Sequence, residues 1–210
     1  MQKVESGNIS LDTKVQIKDE DRTSSYGELY RSAENEVTIR KLLERMLVDS
    51  DNTALRILLR QIDFKDLQFV LDYYGLDIKV VNLTGSKHVD LISAKSIGNI
   101  LSSLYFSTVL EPENSEYLLA LLSQASFDVR NFSGIPKETR IAHKFGENYY
   151  KENKFFHDCG IIYAESKRIL YCIMTKGMDE KKSKEAVGYS LGSTYRYVIE
   201  TGDRLEKYKG

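Results

Sequence analysis

Cysteine is scarce in this chain. Cys159 and Cys172 are the only two, which excludes a disulfide-rich scaffold and offers no metal-ligand spacing, so neither a metal nor another cofactor is expected. An excess of either charge is lacking as well. With 30 Lys and Arg against 31 Asp and Glu the net charge is -1, so no basic stripe exists and nucleic acid is not an expected partner. No apolar run approaches the roughly 20 residues of a membrane helix, and no charged-then-apolar leader opens the sequence. What is present is apolar material for one substantial core, 41% of 210 residues, read as a single domain over 1–210. The two cysteines fall in neighbouring strand patterns. We read them as buried free thiols, with a bridge between the strands as the alternative.

The centre of the chain is Val37 to Leu59, where two amphipathic helical runs meet at the polar tripeptide Ser50-Asp51-Asn52. Ile39, Leu42, Leu43, Met46 and Leu47 share one helix face, and Ser50 falls one turn beyond Met46. All three tripeptide residues are preferred N-caps, so the simplest reading makes Asp51 the cap of the second helix. Upstream, Met1 to Ser6 reads as a helix end stopped by Gly7-Asn8, Ile9 to Ile17 as a weak extended piece, and Lys18 to Asn35 as polar loop. Downstream, helices are expected over Phe64–Tyr74 before Gly75, from an N-cap at Ser93 to about Tyr105, and from Pro112 to about Gln124. Ile78 to Leu83 is a short apolar run of uncertain type, and Asp128 to Lys137 reads as loop.

The period then changes. Thr139–Lys144, Phe155–Ala164 and Ile169–Thr175 predict three strands, the last two a hairpin around Glu165-Ser166-Lys167, followed by a helix over about Lys181–Thr201. The order predicts an α+β fold: a helical lobe over about 18–137, then an antiparallel sheet of about three strands closed by a C-terminal helix over about 138–204. The first strand ends Ile141-Ala142-His143-Lys144-Phe145-Gly146, a Lys-x-Gly that alone reads as a surface lysine before a turn.

Taken in order, a helical Ser-Asp-Asn, an all-helical segment, a Lys-x-Gly strand, a hairpin and a long helix resemble the class A β-lactamase and penicillin-binding protein superfamily. Its three motifs are Ser-x-x-Lys, Ser-Asp-Asn and Lys-Thr-Gly. LLERMLVDSDNTALRILL, IAHKFGE, CGIIYA, YCIMTKG and GNISLDT carry the resemblance over nearly the whole chain. It implies a β-lactamase/transpeptidase-like fold and a serine hydrolase acting through an acyl-enzyme on β-lactams or D-Ala-D-Ala-type peptides. It also implies an exported protein. Ser50 would relay a proton to the leaving nitrogen, and Lys144 would hold the substrate carboxylate and poise Ser50 by hydrogen bonding. Asn52 would contact the substrate side chain, Asp51 would fix the turn, and Gly146 would let substrate backbone approach the strand edge.

The departures matter as much as the matches. Phe145 stands where the family's substrate-binding strand carries a threonine or serine hydroxyl. Ser-x-x-Lys is absent from the 210 residues, and the resemblance implies that it precedes Met1, making this an N-terminally truncated domain that is inactive alone. Ser93-Ala94-Lys95, Ser166-Lys167 and Ser183-Lys184 are no substitutes and read as surface residues. The loop that carries the deacylating glutamate in the family corresponds to Asn82–Ile92, where Asp90 is the only carboxylate. Glu111-Pro112-Glu113-Asn114 reads as a helix start instead. His143 is expected to alternate onto the opposite sheet face from Lys144 and pack against a helix. His88 and His157 are scattered, and the Tyr149-Tyr150 pair reads as partly buried surface. A non-catalytic binding domain of the same fold is the alternative that Phe145 and the missing glutamate favour.

Overall fold

Several helix starts in this chain are set by capping side chains. Thr38 Oγ1 accepts from the amide of Lys41, Ser93 Oγ from that of Ser96, and Asp51 from those of Thr53 and Ala54. The structure, a computed structural model, describes residues 1–74, 92–150, 153–165, 167–177 and 179–207. The expected 78–83 run, His88, Asp90 and Gly75 lie outside the described residues.

Two compact units divide the chain, Met1–Leu121 and Leu122–Gly210. The first contains helices α1 (Gln2–Glu5), α2 (Ile39–Val48), α3 (Asn52–Leu59), α4 (Phe64–Tyr73), α5 (Ala94–Tyr105) and most of α6 (Pro112–Leu122). Two short strands, β1 (Lys14–Gln16) and β2 (Glu36–Thr38), pair antiparallel with Val15 opposite Val37. β2 was not expected, because three residues leading directly into a helix leave no alternation to read. The polar 18–35 stretch, read as loop, holds two 3-10 turns, Asp19–Asp21 and Leu29–Arg31. It is held by the buried Leu29 and by ionic contacts. Arg22 donates to the carbonyls of Tyr30 and Ser32, both at 2.9 Å, and Arg60 pairs with the buried Asp21 at 2.8 Å. The core of this unit gathers Ile17, Leu29, Val37, Ile39, Leu42, Ala54, Ile57 and Leu121.

In the second unit, β3 (Arg140–Tyr150), β4 (Asn153–Ala164) and β5 (Lys167–Lys176) form an antiparallel sheet in the order β3-β4-β5. The long helix α8 (Glu180–Lys207) and the short α7 (Arg130–Ser133), within a stretch read as loop, complete it. β3 runs six residues past Lys144, so the Lys-x-Gly lies mid-strand and not at a strand end. Ile141, Phe145, Phe156, Ile162, Ile169 and Tyr171 share one face of the sheet and pack with Val129, Ile135, Val187 and Leu191. Helices α7 and α8 touch backbone to backbone because Gly192 lies under α7: a Cβ there would stand 2.0 Å from the Ser133 carbonyl oxygen. The fold is α+β with an antiparallel sheet and a C-terminal helix.

The cysteines correct the free-thiol reading. Cys159 and Cys172 sit directly opposite each other on β4 and β5, their Cα atoms 3.9 Å apart, and are joined as a disulfide. The bridge closes a segment whose ends are 13 residues apart in a hairpin that already pairs, so its contribution falls at the low end of the usual range, about 1–3 kcal/mol. We expect dithiothreitol to lower the unfolding free energy of the wild-type chain, read from its urea midpoint and slope, by that amount and to leave that of the Cys159→Ala/Cys172→Ala variant unchanged. Equal midpoints with and without reductant in the wild type would remove the bridge from the stability of this sheet.

Candidate functional site

The tripeptide is built around one buried carboxylate. Asp51 is 1% exposed and accepts four backbone amides. Its Oδ1 takes Thr53 at 2.9 Å and Ala54 at 3.0 Å, capping α3, and its Oδ2 takes Glu28 at 2.9 Å and Leu29 at 2.8 Å. The cap therefore also anchors the 23–29 segment. Gly27 has φ +86°, and a Cβ on it would stand 2.3 Å from Asp51 Cγ, so glycine alone allows this approach. Thr53 Oγ1 accepts the amide of Thr23 at 3.0 Å, the Asn52 amide donates to the Tyr26 carbonyl at 3.1 Å, and Asn52 Nδ2 donates to Ser25 Oγ at 2.9 Å.

Ser50, between α2 and α3, has φ +57°, the left-handed region that non-glycine residues enter at a cost of about 1–2 kcal/mol. The reversal lets the Asp51 amide reach back to the Arg45 carbonyl at 3.1 Å. A serine held in this conformation by a neighbour with four hydrogen bonds has a fixed backbone, which sets the direction of its Cα–Cβ bond. The structure thus brings Ser50, Asp51 and Asn52 together and adds Ser25 and Gly27, which sequence reasoning left as loop. Their signal was weak: only the glycine in a polar Ser-Ser-Tyr-Gly run hinted at a required close approach.

The sheet unit holds the second cluster. Lys144 is half-buried, and its ammonium lies 4.6 Å over the Phe145 ring and donates to the Phe145 carbonyl at 3.1 Å. Burial depresses its pKa from 10.5 to about 8, and the charge of Asp158 opposes that fall. Gly146 has nothing within 4 Å of where a Cβ would stand, so the strand surface there is open. Phe145, expected at the substrate, is 4% exposed, with its ring 5.5 Å from that of Phe127. Strand alternation places it in the core, so any ligand contact it makes is through its backbone.

Opposite Gly146 in register is His157, whose Nδ1 is buried without a hydrogen-bond partner and whose pKa burial lowers. His143 is buried on the core face, as alternation predicts, with Nδ1 2.8 Å from Asp158. Ser183, read as surface, is instead 1% exposed. Its neighbour Lys184 lies over the rings of Phe127 and Phe156 and is bonded to Glu180. Among the described residues, no cluster of three or more His, Cys, Asp or Glu could hold a metal ion. No helix among them is long and apolar enough to cross a membrane.

Comparison with known proteins covers nearly the full chain. A family described as "Beta-lactamase enzyme family" matches residues 1–197. The solved structure of PBP-A is similar at TM-score 0.76 and 18% identity, over 93% of this chain and 76% of that one. A variant of PBP-A solved as its acyl-enzyme complex with penicillin G matches equally, at TM-score 0.76. The β-lactamase from Sphaerobacter thermophilus matches at TM-score 0.78 and 15% identity, over 91% and 74% of the two chains.

Proposed function

The chain belongs to the Beta-lactamase enzyme family, and from that membership we propose that it recognises β-lactams or D-Ala-D-Ala-type peptides as part of a serine acyl-transfer hydrolase. In this reading Ser50 relays a proton to the departing nitrogen, Lys144 takes the substrate carboxylate, and Asn52 contacts the acyl side chain. Gly146 leaves the strand edge open to substrate backbone, and Asp51 fixes the turn. No Ser-x-x-Lys occurs in the 210 residues, so the serine that would be acylated is not among them. The observation that carries the reading is the Ser-Asp-Asn turn: a left-handed Ser50 is held by an Asp51 that accepts four amides, far more constraint than capping α3 requires.

The family's penicillin-bound relative suggests the ligand with which to test it. We expect this chain to bind benzylpenicillin in a calorimetric titration and to bind its methyl ester, which lacks the anion, at least about tenfold more weakly. Equal affinity for acid and ester would remove Lys144 from the reading. A folded chain that binds neither would favour the second reading, a non-catalytic interaction domain. The aromatic core residue Phe145, in the place of a substrate-binding hydroxyl, is the observation on that side.

A further inference from the structure

Ser25 is an exposed serine in a segment whose sequence reads as loop, yet its hydroxyl meets a residue of the Ser-Asp-Asn turn. Asn52 Nδ2 donates to Ser25 Oγ at 2.9 Å. Thr23 Oγ1 stands 3.1 Å from Ser25 Oγ and can take its proton, which leaves that oxygen an acceptor for the carboxamide. Hydrogen bonds between exposed side chains are usually weak, because water competes and both partners must be ordered. Here the backbone has already ordered both. The Asn52 amide donates to the carbonyl of Tyr26, the residue after Ser25. Thr23 and Thr53 exchange two bonds, amide to Oγ1 at 3.0 Å and Oγ1 to carbonyl at 3.3 Å. The amides of Glu28 and Leu29 end on Asp51. The segment is therefore secured to the start of α3 without the Ser25 side chain, and what Ser25 Oγ adds is a hold on the Asn52 carboxamide.

That hold sets which way the carboxamide faces. The neighbouring Asp51 carboxylate is taken up by its four amides, so it does not compete for Asn52. With one Nδ2 hydrogen on Ser25 the plane of the group is fixed, and among the described residues Asn52 Oδ1 accepts no hydrogen bond. We propose that Ser25 is a positioning residue for Asn52: its hydroxyl locks the carboxamide so that Oδ1 and the second Nδ2 hydrogen are left for the amide of a ligand's acylamino side chain, which presents an N–H and a carbonyl of its own. That Asn52 meets such a group rests on the function proposed above; its orientation by Ser25 does not. A carboxamide free to turn would have to be ordered by the ligand itself, at a cost in affinity.

The test reads Asn52 directly and needs no ligand. In the isotope-labelled full chain the Asn52 side-chain amide is identified by nuclear magnetic resonance as the pair of signals lost in Asn52→Ala, and its order parameter is measured by relaxation. The wild-type value is expected above about 0.6, on the rigid side, and Ser25→Ala should bring it below while leaving the urea midpoint of the chain unchanged. Ser25→Thr keeps a hydroxyl and should retain the wild-type value, so that order follows the hydroxyl. Calorimetric titration then reads the consequence. Ser25→Ala should weaken benzylpenicillin about fivefold, the worth of one neutral hydrogen bond, and leave penicillanic acid, which lacks the acylamino group, unchanged. An Asn52 amide equally ordered in Ser25→Ala overturns the proposal. So does loosening that comes only with a lowered urea midpoint, since Ser25 would then hold the segment and not the carboxamide. Equal weakening of the two ligands overturns it also. Loosening in Ser25→Ala with order kept in Ser25→Thr, in a chain that binds neither ligand, upholds the positioning role and sinks the ligand reading alone.

Discussion

Asp51→Ala is expected to destabilise the helical unit by about 3–5 kcal/mol, as much as the loss of a large core side chain. The carboxylate is 1% exposed and is the acceptor for the amides of Glu28, Leu29, Thr53 and Ala54. Alanine leaves those four buried donors without their acceptor. A plain N-cap substitution costs only about 1 kcal/mol, so the magnitude separates the two roles. Asp51→Asn is expected to fall between, because one oxygen survives to cap α3 while an NH2 group is turned toward the two amides of 28–29 or the reverse. Urea unfolding followed by circular dichroism gives the number. A loss near 1 kcal/mol for Asp51→Ala would mean that the 23–29 segment is not anchored through this residue, and the rigid Ser50 would lose its support.

How far the sequence reaches is clear from that same residue. Asp51 is legible as a cap because its two capping amides lie two and three residues downstream, within local pattern. The other two lie 22 and 23 residues upstream, and nothing short of the folded chain pairs them. The same distance rule explains the sheet. The strands themselves are visible from their alternation, and His143 was correctly turned away from Lys144, yet its partner Asp158 is 15 residues off and on another strand. The disulfide is a different kind of miss. Once a hairpin closes Ala164 onto Lys167, the positions five residues out on each arm, Cys159 and Cys172, must face one another. The hairpin thus favours the bridge, given above only as the alternative to free thiols. β2 and α7, three and four residues long, are below the length at which periodicity carries information.

Lys144→Met is expected to act in opposite directions on stability and on binding. In the folded chain burial pulls the lysine's pKa from 10.5 down to about 8. The unfolded chain therefore holds this proton more tightly, and between pH 8 and 10.5 it binds more protons than the folded one, so stability due to Lys144 rises with pH across that window. Below pH 8 the folded chain bears the full penalty of a half-buried charge, which methionine, of similar length and apolar, relieves. We expect Lys144→Met to raise the stability at pH 7 by about 1–3 kcal/mol, and the gap between variant and wild type to close as pH is raised toward 10.5. Benzylpenicillin affinity should fall about ten- to a hundredfold, the worth of a hydrogen bond to a charged group. Chemical denaturation at pH 7 and pH 10 with a parallel binding titration measures both halves. A variant less stable than wild type at pH 7 would mean that the ammonium's contacts with Phe145 and the field of Asp158 more than offset its burial, and Lys144 would then be a structural ion. A more stable variant with weakened binding would identify a charge that the fold tolerates at its own expense, the signature of a residue kept for what it binds.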